Sequence, residues 1–229
     1  MKRFYQDVTV SPEDTGFRVC LDGRGIRTQG GRPQIVPTAA LAEAMAGEWA
    51  MQGETIDTAA FAFRDMADYA IDVVAPAPAA ARADLLPYAE TDTLCYRAEP
   101  DEPLAARQRL LWEPLLAMAE ARYGVAFTRV SGIMHKPQPE PTLAALAARL
   151  AQLSPFALAA LRNTATLSAS LVIGLAALDP GADVAALWDA ACVEEDWQAE
   201  LWGKDEQAQA RRALRGEAFA TAARFAQLL

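Results

Sequence analysis

Apolar and polar residues alternate through the first forty positions of the chain. Val8 and Val10 stand between polar neighbours, and Phe17, Val19 and Leu21 repeat the pattern beyond Ser11–Gly16. A period of two marks a strand with one buried face. Asp22-Gly23 follows, two residues that tolerate the positive φ of a tight hairpin turn. Ile26 and Thr28 suit a return strand, Gly30-Gly31 a second turn, and Ile35-Val36 a short strand ended by Pro37. The pattern predicts an antiparallel meander of about four strands. The period then lengthens. Thr38 is placed to cap a helix carrying Leu41, Met45 and Trp49 at four-residue steps. Such a helix can cover the apolar face of the sheet.

From about residue 62 the pattern is helical. Met66, Ala70, Ile71 and Val74 form a stripe, and Pro76 and Pro78 interrupt it. Pro103 can start a long helix through Gln108, Leu111, Leu115 and Met118, kinked at Pro114 and stopped by Gly124. Val125–Val130 reads as a short edge strand or as extended chain. Alternate prolines from His135 to Pro141 predict a semi-rigid loop. Beyond it we expect four helices. Ser154-Pro155 starts one, Asp179-Pro180-Gly181 separates two others, and Asp183 caps the last long segment. The fold class expected is α+β: a β-rich N-terminal domain with its covering helix over residues 1–60, and a helical-bundle domain over 61–229.

Composition narrows the function classes. The chain has 229 residues, with 30 acidic against 21 basic, a formal net charge of −9. Its basic residues are scattered, and clustered Lys and Arg are what a phosphate backbone requires, so no nucleic acid is expected as partner. The longest apolar run, Leu167 to Leu178, is too short for the ~20 residues of a membrane-spanning helix. Cys20, Cys95 and Cys192 are dispersed, without the spacing of a zinc site or a disulfide framework. The N-terminus shows neither signal core nor presequence pattern, which predicts a cytoplasmic protein.

Chemistry-bearing motifs are sparse. There is no phosphate-loop motif, and Gly23-Arg24-Gly25 lacks the third glycine of a dinucleotide fingerprint. No cofactor or metal is expected. The single histidine, His135, lies in the proline-rich loop; with the acidic cluster it leaves a small hydrolase or isomerase as an alternative. The segment after Asp183 is more distinctive. As one helix at about 100° per residue, it sets Leu187, Ala190, Ala191, Glu194, Gln198 and Leu201 on one stripe. Trp188, Trp197 and Trp202 cluster on the same segment. A carboxylate on an apolar stripe needs a partner. This helix is therefore either a core element whose Glu194 bonds an arginine of a neighbouring helix, or an acidic and aromatic docking face for another protein.

Several short blocks, taken in order, resemble one family. They are Lys2-Arg3-Phe4-Tyr5, Leu21-Asp22-Gly23-Arg24, Glu48-Trp49-x-x-Gln52, Thr91-Asp92-Thr93-Leu94-Cys95-Tyr96-Arg97, Gln108-x-x-x-Trp112-Glu113-Pro114-Leu115, Arg122-Tyr123-Gly124-Val125, and Glu194-Glu195-x-Trp197-Gln198 with Trp202-Gly203. The family is the mitochondrial and alphaproteobacterial assembly chaperones for the α subunit of the F-type ATP synthase catalytic head. The resemblance covers nearly the whole chain and points to a bacterial member. It implies a non-enzymatic protein that binds the unassembled α subunit, shields the surface β will cover, and yields to β. It also implies partner-contact residues: Glu194, Glu195, Trp197, Gln198 and Trp202, with Asp92, Arg97, Trp112 and Glu113 as a second group. An adaptor for an unrelated protein is the remaining alternative.

Overall fold

The computed structural model describes residues 1–132 and 134–229. Strand β1 (Val8–Glu13) pairs antiparallel with β2 (Gly16–Leu21), Val10 opposite Val19. Asp22 and Gly23 then both take positive φ, 49° and 76°, and fold β3 (Arg24–Gly25) back on β2 with Arg24 opposite Leu21. This is the two-residue turn whose twist matches that of the strands. The Asp22 carboxylate also accepts bonds from the backbone N–H of Gln6 and Asp7. Strand β4 (Ile35–Val36) corrects the expected meander. It pairs with β2 rather than β3, so β3 and β4 share one edge of β2. The intervening loop passes over the edge and is fastened from outside the sheet, as described below.

Helix α1 (Ala39–Ala50) starts where expected, with the Thr38 hydroxyl accepting from the Leu41 N–H. It buries Leu41, Met45 and Trp49 against the sheet. Helix α2 (Ala62–Tyr69) has no capping side chain of its own. Glu48 of α1 supplies one: its two carboxylate oxygens accept from the N–H groups of Phe63, at 2.6 Å, and Arg64, at 3.0 Å. Two N–H groups at a helix start are thereby satisfied by a charge of the sign the helix dipole favours. Burial nevertheless holds Glu48 above the ordinary carboxylate range.

After α2 the chain widens into a π-helical turn, Ala70–Val74. Asp68 and Asp72 reach from this region to the loop between β3 and β4. Asp68 accepts from the Gln34 amide and the Gln29 N–H, and Asp72 from the Thr28 hydroxyl and the Gly30 N–H, the last two at 2.9 Å.

Short helices α3 (Pro78–Ala83) and α4 (Pro87–Glu90) lead to β5 (Tyr96–Arg97). Helix α5 (Pro103–Tyr123) runs through Pro114 and ends at Gly124 in the left-handed conformation, φ 65°. Beyond it β6 (Val130–Ser131) pairs in parallel with β5, so the extended segment there includes a genuine strand. Gln138 pins the proline-rich loop by bonding both the N–H and the carbonyl of Thr128.

Six helices follow, not four: α6 (Glu140–Ala151), α7 (Pro155–Ser168), α8 (Leu171–Ala177), α9 (Val184–Ala191), α10 (Val193–Trp202) and α11 (Glu206–Gln227). The extra breaks have local causes. Ala169 takes a left-handed φ of 50°, and Ser170 then caps α8. Cys192, at φ −100° and ψ 7°, separates α9 from α10. Gly203 ends α10, and Asp205 caps α11. Where α7 and α8 meet, a Cβ at Gly174 would stand 3.0 Å from the backbone of Ala165, a contact tight enough that glycine is favoured there.

Two apolar clusters form the interior. One lies under the sheet and takes Phe61, Phe63 and Met66 from the α2 region together with Phe225 of α11. The other lies among α4 to α11 and includes Trp112, Leu116, Leu146, Leu161 and Phe219. Helix α11 contributes to both, and its end is tied to the sheet cluster by the Thr38 hydroxyl, which donates to the Leu228 carbonyl. Cys20, Cys95 and Cys192 are buried free thiols; burial pushes Cys95 up to about 12 and Cys192 to about 11.

Asp92 is fully buried and accepts from the N–H groups of Leu94 and of Val172, the second in the first turn of α8, each at 3.0 Å. Burial pushes its carboxyl from 3.8 up to about 6 despite these bonds. Between about pH 4 and 6 the folded protein therefore keeps a proton that the unfolded chain releases. This contribution to stability is full below pH 4 and is lost as the pH rises through 6. In urea melts, the wild type should gain on Asp92→Asn by on the order of 3 kcal/mol between pH 7 and pH 4. A gap that does not change with pH would contradict the shift.

Candidate partner-binding face

The last sequence block does not lie on a single stripe. The break at Cys192 resets the helical phase, so Leu187 and Ala190 of α9 are buried while Glu194, Gln198 and Leu201 of α10 are exposed. The signal for this break was present in the sequence. Glu194, Glu195 and Asp196 are three consecutive acids, a composition that belongs in the first turn of a new helix.

The three tryptophans have different roles. Trp188 is in the core against Phe219, with ring centroids 5.4 Å apart. Trp197 is half-buried, and Trp202 is 79% exposed beside Leu201 at 58%.

Arginines do reach this helix, but not Glu194. Arg215 bonds Glu195 at 2.6 Å, Arg212 bonds Asp196 at 2.9 Å, and Arg107 of α5 bonds Glu200 at 2.7 Å. Among the described residues Glu194 forms no ion pair; its Oε1 instead accepts from the Gln108 amide at 2.7 Å. Gln108 is itself fully buried, and its own oxygen accepts from the Ala98 N–H at 2.8 Å. The carboxylate is thus oriented at the surface by a neutral donor. Next to it, Arg107, Glu195, Asp196, Gln198, Trp202 and Lys204 line an open cleft of about 570 Å³ between α10 and the start of α11.

The second group of sequence candidates gathers behind this helix. Trp112 is fully buried, donates its indole N–H to the Ala190 carbonyl at 2.7 Å, and lies under the Arg97 guanidinium at 5.2 Å. Arg97 also bonds the Leu94 carbonyl and Glu113. Glu113 is shared with Arg129, which pairs with Glu120 as well. Asp92 and Trp112 thus have no surface with which to touch a partner. They hold α8, α9 and α5 in place, which in turn positions α10. Arg97 and Glu113 are partly open and belong to an ion-pair network of the chain itself.

Two of the remaining blocks, at residues 2–5 and 48–52, also meet in space. Arg3 donates to the Gln52 carbonyl, the Tyr5 hydroxyl donates to the Trp49 carbonyl at 2.6 Å, and Gln52 accepts from the Asp57 N–H. His135 lies elsewhere, against the Tyr96 hydroxyl at 2.9 Å and the Glu90 carboxylate at 3.6 Å, while the acids of α10 take the other partners named above. Among the described residues no group of three or more metal-ligating side chains comes together, and no helix is long and apolar enough to cross a membrane.

The model of the ATP12 chaperone protein family matches residues 2–120, just over half the chain. The chain belongs to the ATP12 chaperone family. Solved structures extend the likeness beyond residue 120. Atp12 from Paracoccus denitrificans is 38% identical, with a TM-score of 0.94 over 99% of this chain and 97% of that one. The Atu1473 protein of Agrobacterium tumefaciens is 37% identical, with a TM-score of 0.93 over 99% of this chain and 85% of that one. Both sources are bacterial, as the resemblance suggested. The α10 block lies outside the residues matched by the ATP12 model and inside the structural match.

Sequence reasoning pointed to Glu194, Glu195 and Gln198 on this helix but missed the arginines that pair with Glu195, Asp196 and Glu200, and Gln108 as the group that orients Glu194. Replacing it by leucine leaves the Ala98 N–H without its acceptor in the interior and releases Glu194. Gln108→Leu should lose about 1–3 kcal/mol in a urea melt, and unchanged stability would remove Gln108 from this role.

Proposed function

We propose that this ATP12-family chaperone serves assembly of the F-type ATP synthase catalytic head by holding its unassembled α subunit through the α10 face until β displaces it. An isolated subunit of a ring exposes surface that its neighbour will bury, and such surface drives aggregation. A reversible partner needs contact groups rather than reactive ones. The observation that carries the reading is the pairing of Glu194, charged and held by Gln108 without an arginine, with the exposed Trp202 at the other end of the same helix. An oriented carboxylate favours a basic site on the client. An exposed indole combines apolar area with an N–H donor, the combination enriched at binding hot spots. Glu195, Trp197 and Gln198 complete the contact set, with Glu195 held against Arg215 in the free chaperone.

The test is aggregation of freshly diluted α subunit followed by light scattering. Wild type should suppress it at near-stoichiometric ratios, and added β should reverse the capture. Trp202→Ala and Glu194→Lys should weaken capture roughly 10-fold or more. Trp202→Ala should do so with little change in melting temperature because the side chain is exposed, whereas Glu194→Lys also removes the acceptor of the buried Gln108 amide and should lower the melting temperature somewhat. Glu194→Gln, which keeps an acceptor for Gln108, should separate the loss of charge from the loss of position. Full protection of α by the folded Glu194→Lys and Trp202→Ala variants would remove α10 from the interface.

A further inference from the structure

A second surface of the molecule is built to receive something apolar. Leu110, Leu115 and Met118 of α5 face Pro180, Ala182 and Ala186, from the α8–α9 connection and α9, across a groove of about 420 Å³. Leu110 is 74% exposed and Met118 42%, large side chains left in water at the two ends of one helical stripe. Eight residues separate them, about 12 Å along the helix axis, so the exposed stripe is two turns long. Single exposed apolar residues are ordinary, but a continuous apolar stripe facing a second apolar wall is not.

Two further features determine what fits there. The walls come from helices, whose backbone groups are already paired. An extended segment laid between them would leave its own N–H and C=O groups unpaired, whereas a helix arrives with them satisfied. The polar groups at the groove are acceptors. Asp183 is exposed on its rim, and Asp179 lines it while paired with Arg122. An exposed carboxylate beside an apolar stripe complements a cation.

We propose that this groove takes an amphipathic helix of the client, presenting apolar residues over two turns flanked by Lys or Arg, as a docking surface separate from the α10 face. The proposal rests on the reading that the client is the α subunit. The groove adds a second apolar surface to the one at Leu201 and Trp202, and the exposed Asp183 selects the basic flank.

The three native cysteines are buried, so Leu110→Cys introduces the one accessible thiol for a maleimide photo-crosslinker in the full-length chain. Irradiation with α subunit should join it to an α peptide that carries apolar residues at helical spacing and a Lys or Arg. The same label at the hairpin tip, Thr15→Cys, should give no such product. The double variant Leu110→Ala with Met118→Ala should need several-fold more chaperone to protect α. Asp183→Asn retains a residue able to cap α9 but removes the charge, and should weaken capture in a salt-dependent way. Absence of the α crosslink at position 110, with undiminished protection by the double variant, overturns the groove while the wild type still protects α. Unprotected α in the presence of wild type overturns the client reading itself, and the assigned occupant with it. A crosslink to an acidic or purely polar α segment overturns the assigned chemistry.

Discussion

The Asp92 carboxylate is buried in the middle of the chain, and the arrangement of the helices depends on it. It closes a turn at Leu94 and caps α8 eighty residues later. A carboxylate without water is costly unless backbone donors replace its hydration, so the residue fixes what must surround it. Helix α8 starts against Asp92, packs tightly on α7 at Gly174, and leads into α9 through the turn at Asp179–Gly181. Glu48 acts in the same way on the N-terminal side, where its carboxylate caps α2 from α1. Asp68 and Asp72 repeat the arrangement for the β3–β4 loop. In each case a charge from one element terminates the backbone of another, which ties together parts that local propensity would leave independent.

This interior explains why sequence blocks so far apart recur together. Ala98, Gln108 and Glu194 form one hydrogen-bonded chain, and Trp112 reaches the end of α9 from beneath it. Two neutral buried side chains thus position an exposed helix. The acids on that helix are mostly neutralised by arginines of the same chain, and exposed ion pairs of this kind contribute little to stability. They shape the surface without greatly charging it. Glu194 differs because its partner is an amide.

A chaperone of this kind has opposing requirements. It must expose apolar surface to hold a client and must not aggregate through that surface itself. The net charge of −9 favours solubility of the free chain. The exposed large apolar residues include two pairs, Leu201 and Trp202 on α10 and Leu110 and Met118 on α5, each beside charged or polar groups, while others such as Phe4, Met51 and Leu214 are scattered. Apolar residues spread over separate small patches favour self-association less than one large patch would.

The α+β class, the hairpin at Asp22-Gly23, the caps at Thr38, Ser154 and Asp183, and the stop at Gly124 were all legible from the chain, because each depends on residues within a few positions of one another. The family was legible too, since its motif order survives in one dimension. The pairing of β4 with β2, the capping of α2 by Glu48 and the orientation of Glu194 by Gln108 were not. In these cases long-range partners decide among local alternatives. Periodicity can place a carboxylate on a helix face, but whether it meets an arginine, an amide or water depends on which distant segment packs there. The sequence by itself determined the elements and the kind of protein they make. Tertiary packing decided which side chains became interior supports and which remained free to meet a partner, because burial and hydrogen-bond satisfaction belong to the whole folded chain.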